Sequence, residues 1–256
     1  MITSSSNAQV RQILRLNTKA RFRRKLGLFT AEGVKLFREA PPELREKIYV
    51  SSSFEKKNRE LLKGIFYEIV DDRVFFGMCD SKTPQGILTV LKIPSYERKD
   101  LLRVAHPLLL VLEDLQDPGN VGTILRTAEG AGVTGVILSK KCVDLSNPKT
   151  IRSTMGSIFR VPFIYENQLK DAVSWLKAFG IRTFAAHLHG KHLYNEEDYT
   201  GGSAFLIGNE AKGLSEELAK SCDCLLRIPM EGQVKSLNAA VAAAVLMYMA
   251  NLQRYY

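Results

Sequence analysis

The sequence predicts an α/β protein in two parts, a small α/β domain followed by a larger domain built on a parallel sheet. Three observations predict it. From residue 108 onward, short apolar runs alternate with helical segments, the pattern of a sheet covered on both faces. The basic excess is confined to the first part: residues 1–95 hold 18 Lys and Arg against 10 Asp and Glu, whereas residues 96–256 hold 18 against 17. Between the two lies Pro94-Ser95-Tyr96-Glu97-Arg98-Lys99-Asp100, polar and proline-bearing, which reads as a domain linker over residues 96–104.

In the first part, residues 10–16 fit a helix that runs into the basic stretch. Residues 28–30, 48–50 and 66–69 read as short strands, residues 55–62 as helical, and residues 87–93 as a clear strand. The second part gives strands at 108–112, 136–138, 163–165, 183–186, 204–207 and 225–228. Helices fall at 119–131, 148–157, 168–179 and 216–220, and a long alanine-rich helix over 236–252 closes the chain. Parallel sheets of this kind bind ligands beyond the C-terminal ends of their strands. The chemistry is therefore expected in the loops at that edge.

Composition narrows the function. No uninterrupted apolar run approaches the roughly 20 residues needed to cross a bilayer. The polar start, residues 1–7, lacks the apolar core of a secretion signal, so a cytoplasmic protein is expected. Cys79, Cys142, Cys222 and Cys224 form no Cys-x-x-Cys pair and read as small buried apolar residues in a reducing compartment. The histidines of His187-Leu188-His189-Gly190-Lys191-His192 fit neither His-x-x-x-His on a helix nor a zinc ribbon, so no metal is expected. Arg11, Arg15, Lys19, Arg21, Arg23, Arg24 and Lys25 form the densest basic cluster. Such a cluster attracts a polyanion by releasing condensed counterions, which favours nucleic acid; a solvated helix that only confers solubility is the alternative. A membrane surface fits less well, because no Trp- or Phe-rich face accompanies the charge.

Three segments at the sheet edge carry the candidate chemistry. The first, Asp117-Pro118-Gly119-Asn120-Val121-Gly122-Thr123-Ile124-Leu125-Arg126, follows a buried strand and opens a helix. It ends in no Gly-Lys-Ser/Thr and lacks Gly-x-Gly-x-x-Gly, so it is neither a Walker A loop nor a dinucleotide fingerprint. Arg126 offers a planar, bidentate clamp for a phosphate, or else a surface ion pair. The second segment, Gly208-Asn209-Glu210-Ala211-Lys212-Gly213-Leu214, again follows a buried strand and is weak by itself. The third runs from Ile228-Pro229-Met230 to Val234-Lys235-Ser236-Leu237-Asn238-Ala239-Ala240. Ser236 reads there as a helix N-cap with Asn238 in the first turn, either facing a ligand or belonging to a plain capped helix.

Together the three segments resemble the motifs of the SpoU (TrmH) family of RNA ribose 2′-O-methyltransferases, of the SPOUT class. Asn120, Gly122 and Arg126 match the first motif; Gly208, Asn209, Glu210, Gly213 and Leu214 match the second. Ile228, Pro229, Met230, Ser236, Leu237, Asn238 and Ala240 match the third. Order and spacing agree, and the resemblance covers residues 105–256 well. Residues 1–95 are more loosely similar to the RNA substrate-binding domain, of L30e-like fold, that precedes many members. There Thr30-Ala31-Glu32-Gly33 and Thr83-Pro84-Gln85-Gly86-Ile87 match recurring features.

The resemblance implies a trefoil knot in the C-terminal SPOUT domain, which general topology rules would place among rare exceptions. It implies a homodimer with each site near the interface, and S-adenosylmethionine bent inside the knot. Arg126 is implied as the catalytic residue, either removing the ribose proton together with the target's phosphate or clamping that phosphate. Asn120 is expected to support Arg126 or the ribose, Glu210 to order the second loop, and Ser236 and Asn238 to bond the target nucleotide or the cofactor's edge. Gly208, Ile228 and Leu237 are expected to meet the cofactor through backbone, with His187 and Met230 also lining its site. The appended first domain favours ribosomal RNA as substrate. A transfer RNA methyltransferase and a non-catalytic RNA-binding member of the fold are the alternatives.

Overall fold

The computed structural model describes all 256 residues, Met1–Tyr256. The chain forms two compact units, Met1–Pro94 with Asp144–Phe159, and Ser95–Val143 with Arg160–Tyr256.

The first unit begins with α1 (Ala8–Thr18), capped by Asn7, whose side chain accepts from the Gln9 amide. Next come α2 (Ala20–Leu26), β1 (Leu28–Glu32), α3 (Val34–Glu39), β2 (Arg45–Ser51), α4 (Ser52–Lys57), β3 (Glu68–Val70), α5 (Asp72–Met78) and β4 (Ile87–Lys92). The sheet order is β1-β4-β2-β3, antiparallel except for the β2–β3 pair. Alternation along its strands builds a core on each face. Tyr49, Leu88 and Val90 join Val10, Ile13 and Leu16 of α1 and Phe75 and Met78 of α5 on one side. Ile48, Val50 and Ile87 meet Phe37 of α3 and Phe54 of α4 on the other. The two stretches singled out from the sequence come together here. Gln85 Oε1 accepts from the Val34 amide at 2.9 Å, and a Cβ on Gly33 would lie 2.9 Å from that oxygen.

Several short elements depart from the expectation. Helices α2, α3 and α5 were not foreseen, and the helix expected at 55–62 spans Ser52–Lys57. Phe66, read as part of a strand, is fully exposed and precedes β3.

The second unit contains β5 (Leu108–Leu112), α6 (Pro118–Gly130) and β6 (Gly135–Ser139). The chain then supplies α7 (Pro148–Thr154) to the first unit. It resumes the second with β7 (Phe163–Glu166), α8 (Leu169–Ala178), β8 (Arg182–Ala186), β9 (His192–Leu193), β10 (Ser203–Ile207), α9 (Glu216–Ser221), β11 (Cys224–Arg227) and α10 (Ala239–Tyr255). Seven strands pair in parallel in the order β7-β6-β5-β10-β8-β11-β9. Leu109, Val111, Ile137, Ala185, Ala204 and Leu206 bury one face against Leu169, Ala172, Val173 and Leu176 of α8 and Leu218 of α9. Helix α10 lies against β10 and α6, covering the other. β5, β6 and β10 are buried at every position, which is why they read as continuous apolar runs.

Two boundaries differ from the sequence reading. Residues 96–104 are not an unstructured linker. Glu97 and Asp100 form a capping box on a 3₁₀ turn, Arg98–Leu102, that drives Leu101 into the second core. A side chain at Gly135 would collide with Leu101. Segment Asp144–Phe159, assigned from the sequence to the second domain, packs with the first unit. The Arg23 guanidinium holds Asp144 at 2.8 Å, and Phe159 stacks on Phe29 at 6.4 Å between centroids.

Candidate active site

The loops after β5, β10 and β11 meet at the carboxyl edge of the parallel sheet. After β5 the chain turns through Asp114, whose φ of 55° lies in the left-handed region that aspartate tolerates better than most residues. Ser139 braces it, accepting from the Asp114 amide at 2.9 Å and donating to its carboxylate at 2.7 Å. Asp117 then caps α6 by accepting from the Asn120 amide at 2.7 Å, with Pro118 in the first turn, where its missing N–H costs nothing.

After β10 the backbone folds back on itself. Asn209 and Gly213 exchange both backbone hydrogen bonds, at 3.1 and 2.8 Å. A Cβ on Gly208 would lie 2.1 Å from the backbone of Gly213 and Leu214, so only glycine fits. The Asn209 side chain closes the turn, accepting from the Ala211 and Lys212 amides at 3.0 and 3.2 Å and donating to the Asp114 carbonyl at 2.7 Å.

Glu210 reaches across to the first loop. Its carboxylate accepts from the amides of Gln116 and Asp117 at 3.3 and 3.1 Å and from the Asn120 side chain at 3.2 Å. Burial works against its charged form, but these donors outweigh it and hold the carboxyl below the usual glutamate range. The expectation that Glu210 orders the second loop is thus corrected. It mainly orders the first: within its own loop it meets the Asn209 side-chain amide at 3.5 Å, and the bonds that close the second loop are made by Asn209. Asn209 was a motif match without an assigned role; the legible signal was an asparagine placed to accept from amides two residues on.

The third segment also departs from the reading. Ser236 is not the cap of the last helix, which starts at Ala239. Asn238 is the cap, its oxygen accepting from the Ala240 and Val241 amides at 2.9 and 3.4 Å. Its amide nitrogen donates to Asn120 Oδ1 at 3.0 Å, which fixes the start of the helix at this residue. Asn120 is accordingly tied to Glu210 and Asn238 rather than to Arg126.

A cavity of about 300 Å³ opens beside these loops. Gly208, Ile228, Leu237, His187 and Met230 all line it, as do Glu210 and Ser236. Ile207, Leu214, Leu226 and Leu246 add apolar wall, and His189 and Lys212 join it without having been foreseen. The His187 Nδ1 accepts from the His189 amide at 3.2 Å, which leaves the Nε2 of a neutral ring as the donor. Arg126 is exposed on α6, outside the cavity lining, with no carboxylate paired to it.

His192 stands apart from this cavity, with Glu197 and buried Cys224. Glu197 accepts from His192 Nδ1 at 3.0 Å and pairs with Arg182 at 2.7 Å, so the cluster is already charge-balanced.

Among the seven basic residues of the first unit, Arg11, Arg15, Lys19, Arg21, Arg24 and Lys25 are exposed. Arg15 lies over the Phe22 ring at 3.9 Å. Arg23 is the exception and is withdrawn as an RNA contact. It is 2% exposed and bonds Asp144, Ser146 and the Leu16 carbonyl.

Residues 107–248 match the model of the SpoU rRNA Methylase family. The chain belongs to that family. Residues 7–89 match the MRM3-like substrate binding domain. Among relatives of the whole chain, the 23S rRNA (guanosine(2553)-2′-O)-methyltransferase RlmP of Bacillus subtilis is 35% identical, covering 96% of this chain and 97% of its own. The AdoMet-bound rRNA methyltransferase from Sinorhizobium meliloti superimposes with a TM-score of 0.86 at 30% identity, over 98% of this chain and 97% of its own. The SpoU methyltransferase AviRb from Streptomyces viridochromogenes, in complex with AdoMet, also gives 0.86, at 28% identity over 96% and 98%. The linked Asn120, Glu210 and Asn238, one from each of the three segments, all lie within the matched residues 107–248.

Proposed function

We propose that this protein transfers a methyl group from S-adenosylmethionine to a ribose 2′-hydroxyl of ribosomal RNA. One observation carries the reading: three motif residues from three separate loops, Asn238, Asn120 and Glu210, form one hydrogen-bonded chain beside a cavity at the carboxyl edge of a parallel sheet.

The cavity fits such a donor. Its walls are mostly aliphatic, with His187, His189, Asn209, Glu210, Lys212 and Ser236 as the polar groups, and its volume falls at the lower end of ligand pockets. Gly208, Ile228, Met230, Leu237 and His187 hold the cofactor there, the backbone at Gly208 supplying polar contact where no side chain fits. Bound there, the donor supplies a methyl group already activated by its sulfonium, so the protein's work is positioning and charge complementarity. Ser236 and Asn238 face the target nucleotide, and Glu210 and Asn120 keep the first loop closed on it. Arg126 clamps the phosphate of the target nucleotide and aligns the hydroxyl with the methyl. A guanidinium presents five N–H donors in a fixed fork and no acceptor, which favours the clamp over removal of the proton by arginine itself.

Two copies assemble. Helix α10 exposes Val241, Tyr248, Leu252 and Tyr255 on a stripe of coiled-coil spacing, and apolar faces of this kind are buried by a partner. Helix α6, which carries Arg126, packs beside α10, so a partner on this face brings a guanidinium near the interface. A trefoil knot in the second unit belongs to the same reading. It is supported by β10 lying between β5 and β8 while α10 returns to cover it.

The first unit binds the RNA through Arg11, Arg15, Lys19, Arg21, Arg24 and Lys25, and the second unit performs the transfer. No helix is long and apolar enough to cross a membrane. With ribosomal RNA as its substrate, the enzyme acts in the cytoplasm. The test is transfer of tritiated methyl to ribosomal RNA, with 2′-O-methyl mapping in cells with and without the protein. A complete lack of transfer to any ribosomal RNA, with an unchanged methylation map, ends the proposal.

A further inference from the structure

The two charged side chains lining the cavity are in opposite conditions. Glu210 is saturated by two backbone amides and the Asn120 side chain. Lys212, two residues on along the same loop, has no carboxylate or carbonyl bound to its ammonium. Lys170, Lys177 and Lys220 of this unit are matched by Glu217, Asp223 and Glu216; Lys140, Lys191 and Lys235 are unpaired like Lys212, but Lys212 is the one that lines the cavity.

The root of Lys212 is also fixed. Its amide donates to Asn209 Oδ1 at 3.2 Å inside the turn closed by the Asn209–Gly213 pair, and Gly213 at φ 70° sets the return. The stem therefore leaves the loop from a defined point, with its ammonium exposed to solvent at the cavity wall. A hydrated point charge so placed takes an oxyanion of either carboxylate or phosphate type.

We infer that Lys212 is a positioning residue that receives an oxyanion at this cavity, either the carboxylate of the donor's amino-acid end or a phosphate of the target strand. This rests on the methyltransferase reading above. The Gly-Asn-Glu and Gly-Leu positions of the loop build the turn, and Lys212 at its tip adds the charge.

The test compares the full-length wild type with Lys212→Met and Lys212→Arg. Calorimetry measures binding of S-adenosylhomocysteine and of 5′-methylthioadenosine, which lacks the amino-acid end. Filter binding measures ribosomal RNA affinity against salt. If the carboxylate is the ligand, Lys212→Met weakens S-adenosylhomocysteine up to about fivefold and leaves methylthioadenosine unchanged. If a phosphate is the ligand, both small molecules bind as before, RNA affinity falls, and the salt slope drops by about one. In either case Lys212→Arg restores the loss. The inference is overturned if Lys212→Met changes none of the three, or if Lys212→Arg is as defective as Lys212→Met. A wild type that binds neither small molecule nor RNA overturns the methyltransferase reading and this inference with it; a wild type that binds both beside a silent Lys212→Met removes the inference alone.

Discussion

The side-chain amide of Asn238 donates to the side-chain oxygen of Asn120 across 118 residues of sequence, at 3.0 Å. The orientation of both amides follows from their other partners. The Asn238 oxygen is occupied by the helix it caps, so its nitrogen must point outward. The Asn120 nitrogen is drawn to the Glu210 carboxylate, so its oxygen is left to accept. Asn120→Ala removes the middle of this chain. The expected outcome is a loss of turnover of about tenfold or more, with S-adenosylhomocysteine affinity changed far less, because the first loop rather than the cavity wall is released. Single-turnover transfer alongside calorimetry measures both; equal losses in the two would place Asn120 in donor binding instead.

Arg126 is exposed and pairs with no carboxylate. Arg126→Ala is expected to abolish transfer while leaving the melting temperature and S-adenosylhomocysteine binding largely intact. Arg126→Lys keeps the charge but not the fork and is expected to recover only part of the rate. Full activity in Arg126→Ala would refute the assignment.

The basic cluster separates into two roles. Arg23, buried against Asp144 and Ser146, is structural. Arg23→Ala leaves the half-buried Asp144 carboxylate with Ser146 alone and the Leu16 carbonyl without its donor, and is expected to cost about 2–3 kcal/mol, lowering the melting temperature by roughly 5–10 °C. Arg24→Ala and Lys25→Ala, both exposed, are expected to leave melting unchanged and to reduce the salt dependence of RNA binding. Calorimetric melting beside a salt titration distinguishes them, and an undisturbed melt for Arg23→Ala would contradict the structural role.

Gly208→Ala tests the turn after β10. The added methyl has no space against Gly213 and Leu214, so the loop must open. The chain is expected to fold, because Gly208 follows the last residue of β10, but to lose donor affinity by at least tenfold. Donor binding equal to wild type would show that the cavity does not depend on this turn.

Glu210 gives the pH dependence. Its folded carboxyl sits below the ordinary value of 4.5, so the folded chain binds this proton less readily than the unfolded one. The contribution of Glu210 to loop order is therefore complete above that ordinary value and fades as pH falls through the lowered one. Since the group is exposed, the effect is modest. The S-adenosylhomocysteine affinities of the wild type and Glu210→Gln are expected to run in parallel from neutral pH down to about 4.5, with the wild type alone gaining a further acid limb below it. Glu210→Gln should lack that acid limb; an identical limb in the variant would assign it to another group.

The sequence by itself determined the large elements and the identity of the loops. β5, β6 and β10 are buried on both faces, and the composition of such strands is nearly uniform, so they are visible without neighbours. Turns that need glycine, as at Gly208, are visible for a similar local reason. Helices α2, α3 and α5, of six or seven residues, are too short for a helical period to repeat, and they lack the regular strand–helix alternation that made the equally short α7 and α9 legible. Tertiary structure alone decided which arginine of a run of basic residues is buried, since the partner of Arg23 lies 121 residues away. It decided likewise that Asp144–Phe159 packs with the first unit, that Asn238 rather than Ser236 caps the last helix, and that Glu210 serves a loop other than its own. Each of these depends on a bond between groups distant in sequence. Local propensity carries no information about such a partner, because only the closing of the fold brings it within reach.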